Sequence, residues 1–227
     1  MLSAGLPKAA LVTFGGHANV QHQGSTRKGT GLAASSDWDF YVNLDDTIST
    51  VTHMQRMAVV DQLCKQLLPS AGIDYSIRCG VNRAFMWNGS DDRGPLPDVD
   101  LVFERFKLDV RRAPKSKAFA HSQVAQQVVK YIKRLPVRFT QLHKPKSSLV
   151  ESFVLQLQQQ QFGDRRLKGE KGFEALLIAV LEAVAGAGGA AVPAQALNCA
   201  KLDVLEWQAA AHFVLDKRTN GCGWILV

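Results

Sequence analysis

A run of small residues just ahead of two alternating carboxylates constrains this chain more than any other feature. Gly24-Ser25-Thr26-Arg27-Lys28-Gly29-Thr30 is followed by Ser36-Asp37-Trp38-Asp39-Phe40-Tyr41-Val42. Phe40 to Leu44 is rich in strand formers, and Val20 to Gln23 reads as a short approach to the turn. Residues two apart on a strand share a face, so Asp37 and Asp39 project together while Trp38 and Phe40 turn toward a core. A Gly-Ser turn lets backbone N–H groups and a hydroxyl approach phosphate oxygens closely. Paired carboxylates suit magnesium, a hard cation that prefers oxygen ligands. Taken singly, the two motifs read as an ordinary loop and a solvated strand end. Side by side, they supply what a metal–triphosphate complex needs.

Gly-Ser, then Gly-Thr, then Ser-Asp-x-Asp resembles the signature of the DNA polymerase beta-type nucleotidyltransferase superfamily. Within it, the motif is most similar to the oligoadenylate synthetase and cyclic GMP–AMP synthase branch. The resemblance implies an α+β fold with a mixed sheet, flanking helices and a C-terminal helical lobe. It also implies two Mg²⁺ (or Mn²⁺) ions and a third carboxylate on a later strand. The expected reaction is transfer of a nucleotide from an NTP to a hydroxyl, with release of pyrophosphate and a linear or cyclic oligonucleotide product. Asp37 and Asp39 would bridge both metals, and Gly24 and Ser25 would grip the triphosphate.

Two neighbours compete for the third carboxylate. Pro97 to Glu104 alternates like a strand, and Lys107 to Pro114 alternates again, so the pair reads as a hairpin. In the resembled family the third Asp lies on the second strand of such a pair, shortly before a Pro. Asp109 fits that place and is favoured as catalytic residue and metal ligand, with Asp100 as the rival. Asp98 and Asp100 otherwise read as a solvated strand edge.

Further along, Val124, Val128, Val129, Ile132 and Leu135 form a helical stripe. Lys130 precedes Tyr131 there, as in the family's helix whose Lys contacts the triphosphate; the competing reading is a solvated charge. Ser147 opens another helix where a polar side chain commonly touches the triphosphate in the family, or else it serves as a cap. Phe213 to Asn220 partly resembles a stretch near the end of the family's catalytic core, with Lys217 in place of a Pro.

Length and composition agree with a folded protein. The chain has 227 residues, 46% hydrophobic and 21% charged, enough for a sizeable core. An α/β catalytic lobe over 1–115 and a helical lobe over 116–227, closing the active-site cleft, are expected. Helices are expected over Met54 to Leu68, Ala118 to Leu135, Ser147 to Gln161, Gly172 to Ala185 and from Leu202 through Trp207. Asn88 to Pro95 reads as a break between strands. Ala175 to Val192 is apolar but interrupted by Glu182 and a Gly-rich run, so it reads as a buried helix and a loop rather than a membrane span.

The net charge of +7 favours polyanions, and basic clusters at Lys107 to Lys117, Lys130 to Arg134 and Arg165 to Lys171 allow double-stranded RNA or other nucleic acid as a partner beside the NTP. Cys64, Cys79, Cys199 and Cys222 are scattered without zinc spacing, and His22 reads as a strand residue. Reduced thiols and the lack of a secretory pattern suit the cytoplasm or nucleus. Two other readings stand beside the main one. One is a catalytically idle nucleotide- or RNA-binding scaffold, and the other a terminal transferase acting on an RNA end.

Overall fold

A computed structural model describes residues 2–14, 18–32, 37–44, 52–80, 83–105, 119, 122–163, 165–186, 201–221 and 224. The chain divides into two compact units, Met1–Ser116 and Lys117–Val227. Among the described residues, no helix is long and apolar enough to cross a membrane.

The first unit opens with α1 (Leu2–Phe14), β1 (Ala18–Gln23), the single-turn helix α2 (Gly24–Arg27) and β2 (Trp38–Leu44). Next comes α3 (His53–Asp61), which runs on as a π-helical segment Gln62–Leu67. Thr52 starts α3 with a reciprocal cap, its hydroxyl accepting from Gln55 N–H while the Gln55 side chain accepts from Thr52 N–H. The strands β3 (Asp74–Cys79), β4 (Arg83–Asp91), β5 (Gly94–Pro95) and β6 (Val99–Arg105) follow.

The six strands form one mixed sheet of order β1-β2-β6-β4-β3, with β5 on β4. Among the described residues, only the central β2–β6 pair is parallel. The β2–β6 register sets every functional position: Trp38 lies beside Val99, Asp39 beside Asp100, and Phe40 beside Leu101. Alternation then sorts the side chains into two faces. Phe40, Val42, Ala84, Met86, Val99, Leu101 and Phe103 are buried with Leu6, Ala9 and Ala10 of α1 and Val59, Val60 and Leu63 from α3 and its extension. The other face carries Asp39, Tyr41, Asp100, Val102, Phe85 and Trp87, none of which belongs to a hydrophobic core.

Two readings of the sequence change here. Asn88 to Pro95 is not a break between strands: Asn88–Asp91 ends β4, and β5 returns beside it through a turn at Asp92 and Arg93. The Asp91 carboxylate accepts from Arg93 at 2.9 and 3.0 Å, and this local pairing lets the polar run stay in the sheet. The helix α1 was not expected, because its Gly5 and Pro7 are poor helix formers; packing of Leu2, Leu6, Ala9 and Ala10 overrides them. Of the hairpin expected over 97–114, the first strand is β6, and residues 106–118 lie outside the described residues.

The second unit is helical: α4 (Gln123–Arg138), α5 (Ser147–Phe162), α6 (Gly169–Ala185) and α7 (Lys201–Thr219). The Ser122 hydroxyl caps α4 by accepting from Ala125 N–H, and α4 begins at Gln123, five residues after the expected start at Ala118. The expected stripe of Val124, Val128, Val129, Ile132 and Leu135 is buried. Gly186 ends α6 in the left-handed region at φ 79°, and the loop expected after it, 187–200, lies outside the described residues.

Trp207 on α7 is 1% exposed in this unit's core, and its indole Nε1 is buried without a partner. Trp207→Ala is therefore expected to destabilise the second unit by roughly 3–5 kcal/mol. Trp207→Phe removes the unpaired donor along with some volume, so it should cost far less. Urea melts followed by far-ultraviolet circular dichroism check both, and equal losses would show that the buried N–H is not a liability.

Candidate functional site

The candidate site is built on the ends of β1, β2 and β6. The chain leaves β1 at Gln23 and turns at once through Gly24, which holds φ +73°. A Cβ added at Gly24 would lie 1.7 Å from Asp39 Oδ2 and 2.6 Å from its Cγ, so the glycine backbone is pressed against the Asp39 carboxylate. One turn later the Ser25 carbonyl accepts from Thr30 and Gly31 N–H at 2.9 and 3.0 Å, closing the loop. The Thr26 hydroxyl donates to the Asp37 carbonyl at 3.0 Å, tying the turn to the carboxylate pair. Arg27 Nη1 donates to the His22 carbonyl at 2.9 Å.

On the sheet, Asp37 is exposed just ahead of β2, and Asp39 is half-buried within it. Trp38 N–H donates to the Asp98 carbonyl at 2.8 Å, which extends the β2–β6 ladder to Asp37's end. Asp100 is level with Asp39 on the neighbouring strand and is only 8% exposed. One oxygen, Oδ2, accepts from Arg83 Nη1 at 3.1 Å; the other, Oδ1, is buried with no partner among the described residues. Burial pushes the Asp100 carboxyl up, the Arg83 guanidinium opposes this, and the Asp37 charge adds to the rise. The rise thus comes first from burial, a perturbation of the kind that functional sites impose on a carboxylate.

Asp109, the favoured third carboxylate, lies outside the described residues. Asp100, its rival, is the one brought beside Asp39. The sequence carried the signal in the alternation of β6, but only the parallel register shows which residue of β6 meets Asp39. The donor set fits a hard divalent cation, since Asp39 and Asp100 stand level and Asp100 Oδ1 lacks a partner. As placed, no three His, Cys, Asp or Glu side chains among the described residues converge tightly enough to hold an ion. The Arg83 guanidinium supplies the positive charge next to Asp100.

His22 behaves as a strand residue. Its ring stacks on Phe40 at 5.2 Å between centroids, and burial, with Arg27 nearby, pulls its pKa down.

In the second unit, Lys130 is half-buried on α4 and lines a cavity of about 750 Å³. Arg134, Arg166 and Lys168 line it too, with Glu170 as a carboxylate and Tyr131 and Phe173 as aromatic wall. Burial pushes the Tyr131 phenol up to about 12, and its OH is buried without a partner. The sequence showed these cations only as surface clusters, because Arg166 and Lys168 reach the Lys130 helix through tertiary packing. Ser147 is the first residue of α5, and Lys146, not Ser147, holds the cap position.

No family model matches the chain, and no curated protein matches it. Solved structures do. A cytoplasmic RNA terminal U-transferase matches with TM-score 0.53 at 14% identity over 81% of this chain and 63% of that one. The polymerase core of the RNA surveillance complex TRAMP gives TM-score 0.56 at 12% identity, over 81% of this chain and 56% of that one. The Cid1 poly(U) polymerase, in a mutant bound to MgATP, gives 0.55 at 13% identity, over 79% and 65%. The chain thus spans less than two thirds of the length of these proteins. At such identities the likeness speaks for the fold alone: this chain has the mixed α+β fold of these structures.

Proposed function

We propose that the chain is a nucleotidyltransferase that moves a nucleotide from an NTP to a hydroxyl at an RNA end and releases pyrophosphate. The observation that carries this reading is the level placement of Asp39 and Asp100 on adjacent strands, with Gly24 pressed on Asp39 and Thr26 tied to Asp37. A cytoplasmic RNA terminal U-transferase and Cid1, an RNA terminal uridylyl transferase, share the fold and act at RNA ends. This supports terminal transfer over the short linear or cyclic oligonucleotide product that the motif alone suggested. A cytoplasmic or nuclear setting, with an NTP and RNA as partners, belongs to the same reading.

In this assignment Asp37, Asp39 and Asp100 would hold the divalent cations, their side chains drawing together around the bound ions, with Asp109 as the alternative third ligand. Mg²⁺, when bound, supplies the charge that neutralises the triphosphate and lowers the pKa of the acceptor hydroxyl. The acceptor oxygen attacks the α-phosphorus, the bond to the β-phosphate breaks, and pyrophosphate leaves. The hydroxyl proton passes to a carboxylate of this set. Gly24 and Ser25 present backbone to the phosphates. We assign the cationic pocket of Lys130, Arg134, Arg166 and Lys168 to polyphosphate, and Ser147 to the same ligand.

The test is incubation of the purified chain with each NTP, Mg²⁺ or Mn²⁺, and single- or double-stranded RNA. Pyrophosphate release is followed, and products are read by mass spectrometry. The expected product is RNA lengthened at one end, lost in the Asp37→Ala/Asp39→Ala variant. Lys130→Ala with Arg134→Ala should raise KM for the NTP about tenfold, as loss of charged hydrogen bonds to phosphate does. Oligonucleotides made without an RNA primer would favour the synthetase reading, and NTP binding without turnover would favour a scaffold.

A further inference from the structure

A row of residues crosses the sheet beside the carboxylates. Gln23, Asp39, Asp100, Phe85 and Arg78 are consecutive cross-strand partners on β1, β2, β6, β4 and β3. Directly opposed residues share a face, so Phe85 stands on the carboxylate face one strand from Asp100 and two from Asp39. At a strand spacing of about 4.8 Å, that is roughly 5 and 10 Å away. Trp87 follows two residues on, toward the end where Asp37 lies. The Phe85 and Trp87 rings stack at 5.6 Å with an interplanar angle of 15°.

Neither ring belongs to either hydrophobic core, while their strand neighbours Ala84 and Met86 are fully buried on the opposite face. Around the rings, Ser76, Arg78 and Arg83 are exposed. Two half-buried aromatics outside any core, flanked by arginines, form a surface that stacks bases and attracts phosphate. Half-buried aromatic pairs of this kind are not needed to hold the sheet, whose apolar face is already filled.

We propose that Phe85 and Trp87 are the platform on which the terminal bases of a single-stranded RNA acceptor stack, with Arg78 and Arg83 holding its backbone. The proposal rests on the terminal-transfer reading above and names the surface that presents the acceptor. Stacking on a flat ring pair accepts any base, so the platform positions the strand end without reading its sequence. A base-paired end is already stacked on its neighbours and gains less from the rings, which favours single strands over duplexes.

The experiment measures binding of a fluorescent single-stranded 15-mer to the full chain by anisotropy, at fixed salt, with EDTA and no NTP. It therefore reads the platform even if the transfer chemistry fails. Phe85→Leu/Trp87→Leu keeps apolar bulk on β4 and removes both ring faces, and circular dichroism confirms that it folds. The double variant should bind roughly tenfold or more weakly. Phe85→Tyr/Trp87→Phe should bind within a few-fold of the wild type. In turnover, the leucine variant should raise KM for RNA while KM for the NTP stays unchanged. A 15-mer ending in 5-iodouridine should photocrosslink to Trp87. Unchanged RNA affinity in the leucine variant, a crosslink elsewhere, or a shift in self-association with no change in RNA binding would each overturn the proposal. If no RNA binds while the chain extends dinucleotides, the platform fails and the transferase reading stands.

Discussion

Asp39→Asn is expected to lower the rate of nucleotide transfer by at least roughly 100-fold while the protein keeps its fold. The amide keeps the shape of the carboxylate and removes the charge on which cation binding depends. Asp100→Asn should do the same, and its effect on stability sharpens the test. Asp100 is only 8% exposed, and burial works against its charged form. A neutral amide removes that cost. Loss of the Arg83 pair costs little, because the Arg83 side chain is 66% exposed and its guanidinium remains in water. Activity should therefore collapse while the melting temperature holds or rises, the usual mark of a residue kept for function at the expense of stability. Asp109→Asn, measured alongside, decides the third place. Near-normal turnover in Asp109→Asn with loss in Asp100→Asn supports Asp100, and the reverse result assigns the role to Asp109.

Gly24→Ala should be nearly as damaging, by a different route. Its Cβ would overlap Asp39 Oδ2 at 1.7 Å and approach even Asp39 Cβ at 2.9 Å. Swinging the carboxylate tip aside cannot relieve the last contact, so either the turn or the whole Asp39 side chain must move. The left-handed φ of +73° adds about 1–2 kcal/mol for any residue with a Cβ. A drop in kcat/KM of roughly 100-fold is expected, because a displacement of about 1 Å at a reacting group can cost that much. The melting temperature should fall by only a few degrees. Steady-state kinetics beside a thermal melt separate the two effects. Activity within about twofold of the wild type would show that Asp39 lies outside the reacting centre.

Much of the local structure was legible. The valine and isoleucine stripe of α4 repeats at helical spacing, and α5, α6 and α7 lie close to where their apolar patterns put them. Strand β2 followed from Phe40-Tyr41-Val42, with Asp39 turned to the face opposite Phe40. Other elements were hidden because local preference was weak or opposed. Tertiary burial holds α1 together against its glycine and proline, and side-chain pairing of Asp91 with Arg93 keeps a Gly- and Asp-rich segment in a hairpin.

The sequence alone determined that a tight glycine turn precedes two alternating carboxylates, Asp37 just ahead of β2 and Asp39 on it, since that needs only the two-residue period of a strand and the freedom of glycine at positive φ. It could not decide which later carboxylate joins them. Asp39 and Asp100 are far apart along the chain, and their meeting depends on β2 and β6 pairing in parallel at one register. A slip of one residue would have turned Asp100 into the core and Leu101 outward. The same register sets Phe85 and Arg78 in line with the carboxylates, and helix packing gathers Lys130 with Arg166 and Lys168 around one cavity. Periodicity states which way a side chain faces along its own strand or helix; only long-range pairing, driven by burial of the opposite faces, decides what it faces.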